Sequence, residues 1–209
     1  MKIGIDINNV LRAYNEQVIK CYKKAFHKEV ELNGISEKDA DLAKILEFKS
    51  NKERKHFFFE DYVYEIFGCG TTMELMLLPH LNEWIKKMED EGHRVYMISV
   101  GEHMLSMQST MFFLSKIGVK CRYTFMPNEL SELNDELDTL ITANPELLNK
   151  KSNKLNIIGV KRGYNEKFIN NADYVVYDLE DVFKLPMSRF KGKNKKANLI
   201  TKLINKFVK

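Results

Sequence analysis

Six short apolar segments separated by helical patterns constrain this chain more than any other feature. They are 2–7 (KIGIDI), 94–100 (RVYMISV), 121–126 (CRYTFM), 139–143 (TLITA), 155–160 (LNIIGV) and 174–178 (YVVYD). Runs of this length read as core strands of a parallel sheet, which is covered on both faces and needs no polar alternation. Between them, residues 80–91 place Leu81, Trp84, Ile85 and Met88 at i, i+3, i+4 and i+7 of a helix, and residues 104–117 are read in the same way. Strand alternating with helix predicts a Rossmann-like, doubly wound α/β domain with functional residues at the carboxyl ends of its strands.

Residues 12–78 break this alternation. They give helix-like patterns rich in Lys and Glu, then the aromatic run Phe57, Phe58, Phe59, Tyr62, Tyr64, Phe67, and no strand. Aromatic residues at such spacing are expected to pack together as a core. The predicted organisation is an α/β core over 1–11 and 79–183, a helical insertion over 12–78, and a tail over 184–209.

A chain of 209 residues buries enough apolar surface to fold without disulfides or metal. Its three cysteines, Cys21, Cys69 and Cys121, form no CxxC or Cys/His ligand pair, which suits a reducing compartment. The five histidines form no HxH or HExxH pair, and neither a phosphate-binding GxxxxGK[ST] loop nor a GxGxxG fingerprint is present. The start of the sequence does not read as a signal peptide and no segment is long and apolar enough to span a membrane, so a cytoplasmic protein is expected.

Particular residues stand at the strand ends. Ile5-Asp6-Ile7-Asn8-Asn9-Val10-Leu11 closes the first strand. Leu78-Pro79-His80-Leu81 leads through Glu91-Gly92-His93 into a strand that ends in Ser99. Asn156-Ile157-Ile158-Gly159-Val160 to Gly163-Tyr164, then Ala172-Asp173-Tyr174-Val175-Val176-Tyr177-Asp178-Leu179, close the pattern. Over residues 1–183 this order resembles the haloacid dehalogenase (HAD) superfamily, and within it the 5′-nucleotidases of the Asp-x-Asp-x-Val-Leu type, with 12–78 as the cap that such proteins insert. The resemblance implies that Asp6 is placed as the nucleophile toward phosphorus and Ser99 as the hydroxyl that holds a phosphoryl oxygen.

Against the same pattern, four positions depart. Asn8 stands where the family has its general acid and base. Met126 stands at the position of the neutralising Lys, and Ala143 and Leu147 at those of two magnesium carboxylates. An anionic carboxylate attacks an anionic phosphate only where metal and Lys neutralise the pair, so losing these groups together removes the electrostatic basis of the reaction. Replacement routes are Lys116, Lys120 or Arg122 for the cation, and Asp138 or Glu146 for a carboxylate. With no family cation beside it, Asp6 is expected to lack a structural partner, so that Asp6→Asn changes stability by under about 1 kcal/mol.

The tail concentrates charge. The chain is +4 overall, yet residues 184–209 carry nine Lys or Arg and no acid, and the other 24 basic and 29 acidic residues leave residues 1–183 at −5. Within it, Leu199, Ile200, Leu203, Ile204, Phe207 and Val208 form one apolar helical stripe opposite a lysine-rich face. Such a stripe packs on its own domain, docks into a protein partner or second copy, or lies on nucleic acid or an anionic membrane surface. The reading preferred from sequence is a HAD-like pseudoenzyme without cofactor, with Asp6, Asn8, Ser99, Met126 and Ala143 as the remnant of a phosphate pocket. It would serve as a structural or binding component of a larger assembly, with a phage virion or its tail as one version by analogy and the host cytoplasm as its site of synthesis. The alternative is a magnesium-dependent phosphatase or 5′-nucleotidase that uses Asp6.

Overall fold

A computed structural model describes residues 1–30, 42–72, 77–100, 104–127, 130–149 and 154–193. The tail stripe from Leu199 to Val208 therefore lies outside the described residues.

Among these residues, β1 (Lys2–Asp6), β2 (Arg94–Ile98), β3 (Tyr123–Phe125), β4 (Thr139–Thr142), β5 (Asn156–Val160) and β6 (Tyr174–Val176) form one parallel sheet in the order β3-β2-β1-β4-β5-β6. All six apolar segments are strands. The central ones, β1, β4 and β5, are buried almost throughout, as expected of a sheet with helices on both faces. The chain runs outward from β1 through β2 to β3, then returns to pair β4 with the other edge of β1. This reversal makes the carboxyl ends of β1 and β4 the crevice where such sheets hold ligands.

Helix α5 (Leu78–Asp90) buries Leu81, Trp84, Ile85 and Met88 against the sheet, the four positions that the spacing singles out. It ends at Gly92, where φ is +79° and a Cβ would be strained; the amide of His93 donates to the Met88 carbonyl at 2.9 Å to close the turn into β2. Between β1 and α5 lie α1 (Tyr14–Phe26), α2 (Leu42–Ile45), α3 (Asn51–His56), a π-helical turn (Phe57–Asp61) and α4 (Val63–Phe67). Their shared centre is aromatic: Phe57 meets Tyr22, Phe26, Phe48, Phe58 and Tyr62 at ring separations of 5.1–6.0 Å. Edge-to-face and tilted pairs of this kind add to the burial of large apolar rings, so the aromatic run serves packing.

Helix α6 (Met104–Ile117) departs from expectation. The sequence pattern places its apolar residues on the core, whereas the buried side holds Ser106, Ser109, Thr110, Phe113 and Leu114, and Met104, Leu105, Met107, Met111 and Phe112 are exposed. One of the small polar residues on the inner side, Thr110, accepts from a buried arginine described below. The remaining helices α7 (Leu130–Glu136), α8 (Pro145–Asn149) and α9 (Leu179–Lys184) connect and close the later strands. No helix among the described residues is long and apolar enough to cross a membrane.

Candidate functional site

The turn that follows β1 is built by backbone hydrogen bonds that leave its side chains pointing in fixed directions. The amides of Leu11 and Arg12 both donate to the Ile7 carbonyl, at 3.1 and 2.8 Å, and the amide of Asn9 donates to the Arg12 carbonyl at 2.7 Å. Asn9 takes a left-handed conformation, φ 61°, which Asn tolerates better than most residues. Its amide group is locked reciprocally to α1: Asn9 Nδ2 donates to Asn15 Oδ1 at 2.9 Å, and the Asn15 backbone amide donates to Asn9 Oδ1 at 3.0 Å.

Asp6 ends β1 with 2% of its surface exposed. The hydroxyl of Thr142, at the end of β4, donates to Asp6 Oδ2 at 2.6 Å, and the backbone amide of Asn8 donates to Oδ1 at 3.1 Å. Thr142 in turn accepts from the Asn144 amide at 3.0 Å. Asn8 Nδ2 donates to the Ser99 hydroxyl at 3.3 Å, so Asn8 stands between Asp6 and Ser99 at the carboxyl ends of β1 and β2. Ala143 is fully buried next to Thr142, and its carbonyl accepts from Asn165 Nδ2 at 2.9 Å. Met126, half-buried, follows Phe125, whose carbonyl accepts the Ser99 amide at 3.3 Å.

The side chain that organises this site is Arg12, which the sequence reading missed. It is fully buried and forks onto Asn8 Oδ1 through Nε at 3.1 Å and Nη2 at 2.5 Å. Its Nη1 donates to the Phe67 carbonyl in α4 at 2.6 Å and to the Thr110 hydroxyl in α6 at 2.9 Å. The guanidinium carbon lies 5.2 Å from the Phe67 ring centre and 5.4 Å from that of Phe113. One planar group thus joins the β1 turn, the inserted helices and the core helix α6, a role that needs a guanidinium's several donors. The available signal was a charged residue inside the apolar stretch Val10-Leu11-Arg12-Ala13.

Arg162 and Tyr164 border the same end of the sheet. Arg162 Nε donates to the Asn9 carbonyl at 3.3 Å and Nη1 to the Tyr177 carbonyl at 3.1 Å. The Tyr164 hydroxyl is buried without a hydrogen-bond partner, and burial pushes it far above the usual phenol range, so it stays neutral.

The residues present do not fit a magnesium site. Around Asp6 the donors are a Thr hydroxyl already committed to the carboxylate and an Asn oxygen already accepting from a cation, whereas Mg²⁺ demands octahedral oxygen ligands with negative charge. Leu147 is 5% exposed within an apolar cluster with Ile98, Leu140 and Phe168. Among the described residues no group of three His, Cys, Asp or Glu side chains is placed to hold a metal ion.

Most replacement routes end in the wrong place. Asp138 accepts the Lys2 amide at 2.8 Å, at the amino end of β1 and so at the opposite end of the strand from Asp6. The Lys120 amide binds Asn82, and Arg122 pairs with Glu89 at 3.3 Å, near the carboxyl end of α5 and the start of β3. Lys116 is in the last turn of α6, which runs away from the site. Glu146, in α8 just after β4, is at the correct end.

Asp6 also has the structural partners that the sequence reading denied it. Thr142→Val, which removes the hydroxyl and keeps the shape, is expected to cost roughly 1.5–3 kcal/mol in urea melts, because it leaves a buried carboxylate oxygen short of a donor. Asp6→Asn keeps one acceptor for the Asn8 amide and should cost roughly 1–2 kcal/mol, above the earlier expectation. Equal stability of Thr142→Val and the parent would show that the 2.6 Å contact contributes nothing.

No family model and no curated protein sequence matches the chain. Solved structures do. A protein of Burkholderia xenovorans LB400 described as a haloacid dehalogenase-like hydrolase aligns with TM-score 0.55 over 90% of this chain and 97% of its own, at 11% identity. A phosphonoacetaldehyde hydrolase-like protein of Oleispira antarctica aligns with TM-score 0.55 over 87% and 89%, at 10% identity. Together with the β3-β2-β1-β4-β5-β6 sheet and an acidic residue closing its first strand, these matches show that the chain has the fold of the haloacid dehalogenase-like hydrolases.

Proposed function

We propose that this chain is a haloacid dehalogenase-fold protein that binds rather than hydrolyses, serving as a structural or binding component of a larger assembly. The observation that carries this reading is the engagement of the Asp6 carboxylate by Thr142 and Asn8, with Asn8 itself gripped by Arg12. A nucleophile must present a free oxygen lone pair to phosphorus, and a general acid must carry a transferable proton. Asp6 is 2% exposed, which closes its carboxylate off from an incoming phosphate, and Asn8 has no titratable proton. Phosphoryl transfer in addition requires cationic stabilisation of the developing charge, and the donor set around Asp6 supports none from magnesium.

A second reading, a magnesium-dependent phosphatase or 5′-nucleotidase with Asp6 as nucleophile and Ser99 on the phosphate, is favoured by the likeness to hydrolase-like structures. The position of Asp6 and Ser99 beside the β1/β4 crevice favours it as well. The two readings separate in one assay, hydrolysis of an aryl phosphate and of nucleoside monophosphates with magnesium present. The binding reading expects the parent to be no faster than Asp6→Asn. Turnover that disappears in Asp6→Asn would establish the phosphatase.

A further inference from the structure

The outer side of α6 is apolar where a soluble helix is ordinarily polar. Met104, Met107 and Met111 recur at i, i+3 and i+7, and Leu105 and Phe112 at i and i+7, which puts all five on one side of the helix, opposite the buried Ser106, Thr110 and Phe113. Met104 is 78% exposed and Leu105 50%. The strip continues onto the inserted helices, because Phe112 meets the half-exposed Tyr64 of α4 at a ring separation of 5.6 Å.

We propose that this face is covered by a second copy of the same chain, packed α6 against α6 about a twofold axis. Two physical arguments select a copy over other occupants. First, α6 carries no acid and only one basic residue, Lys116 in its last turn. A twofold places a patch against itself, residue i facing residue j and j facing i, and an uncharged patch does so without like-charge repulsion. The face also offers no carboxylate on α6 that would favour a lysine-rich occupant. Second, the area is sufficient. The six exposed side chains offer roughly 600 Å² per copy, so that a pair buries roughly 1,200 Å², the lower bound of a specific interface. Such a patch is also at the upper end of what a monomer leaves open. Methionine suits the role, because its unbranched, polarisable side chain adapts to a facing helix. The inference holds whether or not the Asp6 site turns over.

Sedimentation equilibrium of the full chain at tens of micromolar tests it. The parent is expected at twice the chain mass, and Met104→Glu with Met111→Glu at the chain mass with an unchanged circular dichroism spectrum. Removal of residues 194–209 is expected to leave the doubled mass intact. A parent at the chain mass overturns the inference, as does a doubled mass that persists in the Glu variant or is lost with the tail. If the Glu variant fails to fold, Gln108→Cys, in the middle of the face, decides: oxidation should yield a disulfide-linked pair beyond the background of the parent's own cysteines, and its absence overturns the inference equally.

Discussion

Replacing Arg12 by Ala is expected to cost the fold about 3–5 kcal/mol, a large fraction of the 5–15 kcal/mol that holds a typical domain together. Two causes act together. The substitution strips the buried Phe67 carbonyl and the buried Thr110 hydroxyl of a donor, each such unsatisfied group costing about 1–3 kcal/mol, and releases the half-buried Asn8 carboxamide oxygen. It also empties the space between the Phe67 and Phe113 rings. Arg12→Lys is the informative companion. A lysine keeps the charge but presents one ammonium in place of a fork, so it can reach only part of the network and should recover less than half of the loss. Urea midpoints of the three proteins decide the matter. A loss under about 1 kcal/mol in Arg12→Ala would show that the insertion is joined to the core by other contacts.

The second large effect is expected at Leu147. Leu147→Asp restores a carboxylate at the position where the family holds metal, yet the site is an apolar cluster, and the cost is expected to be about 3–5 kcal/mol, more than that of Leu147→Ala. The excess is electrostatic and therefore depends on pH. Burial disfavours the ionised form, so the folded protein would hold this carboxyl protonated above its unfolded pKa of about 3.9. The penalty relative to Leu147→Ala should be smallest below about pH 4 and grow as pH rises, because the unfolded chain then gains the ionised form that the folded chain refuses. Urea melts of both variants at pH 4 and pH 7 measure this difference. A pH-independent difference would mean that the side chain escapes to solvent, and the position would then be open to a metal ligand after all.

How far the sequence reaches is clearest when these two positions are set beside the strands. The central strands β1, β4 and β5 were legible as runs of β-branched and aliphatic residues, because a strand buried on both faces must be apolar whatever its neighbours are, and the partly exposed edge strands β3 and β6 as short aromatic and β-branched runs. The buried face of α5 was legible for a similar reason: the 3.6-residue period relates side chains within one helix, without reference to anything else. Asp6, Asn8 and Ser99 could be placed together because each closes or follows a strand, and a parallel sheet brings its carboxyl ends to one edge.

What the sequence could not state is which groups face one another across that edge. Thr142 reads as one more β-branched strand residue, and only the register of β4 against β1 turns it into the donor that occupies Asp6. Arg12 reads as a surface charge, and its burial follows from three elements, the β1 turn, α4 and α6, converging from positions up to 98 residues away along the chain. The same convergence decided α6. Its composition promised an apolar inner face, but the buried side carries Ser106, Ser109 and Thr110, the last of which accepts from Arg12, and the methionines were left outside. Periodicity records what one element needs in order to bury itself. Where a buried charge must be satisfied, partners distant in sequence set the terms, and only the tertiary structure brings them together.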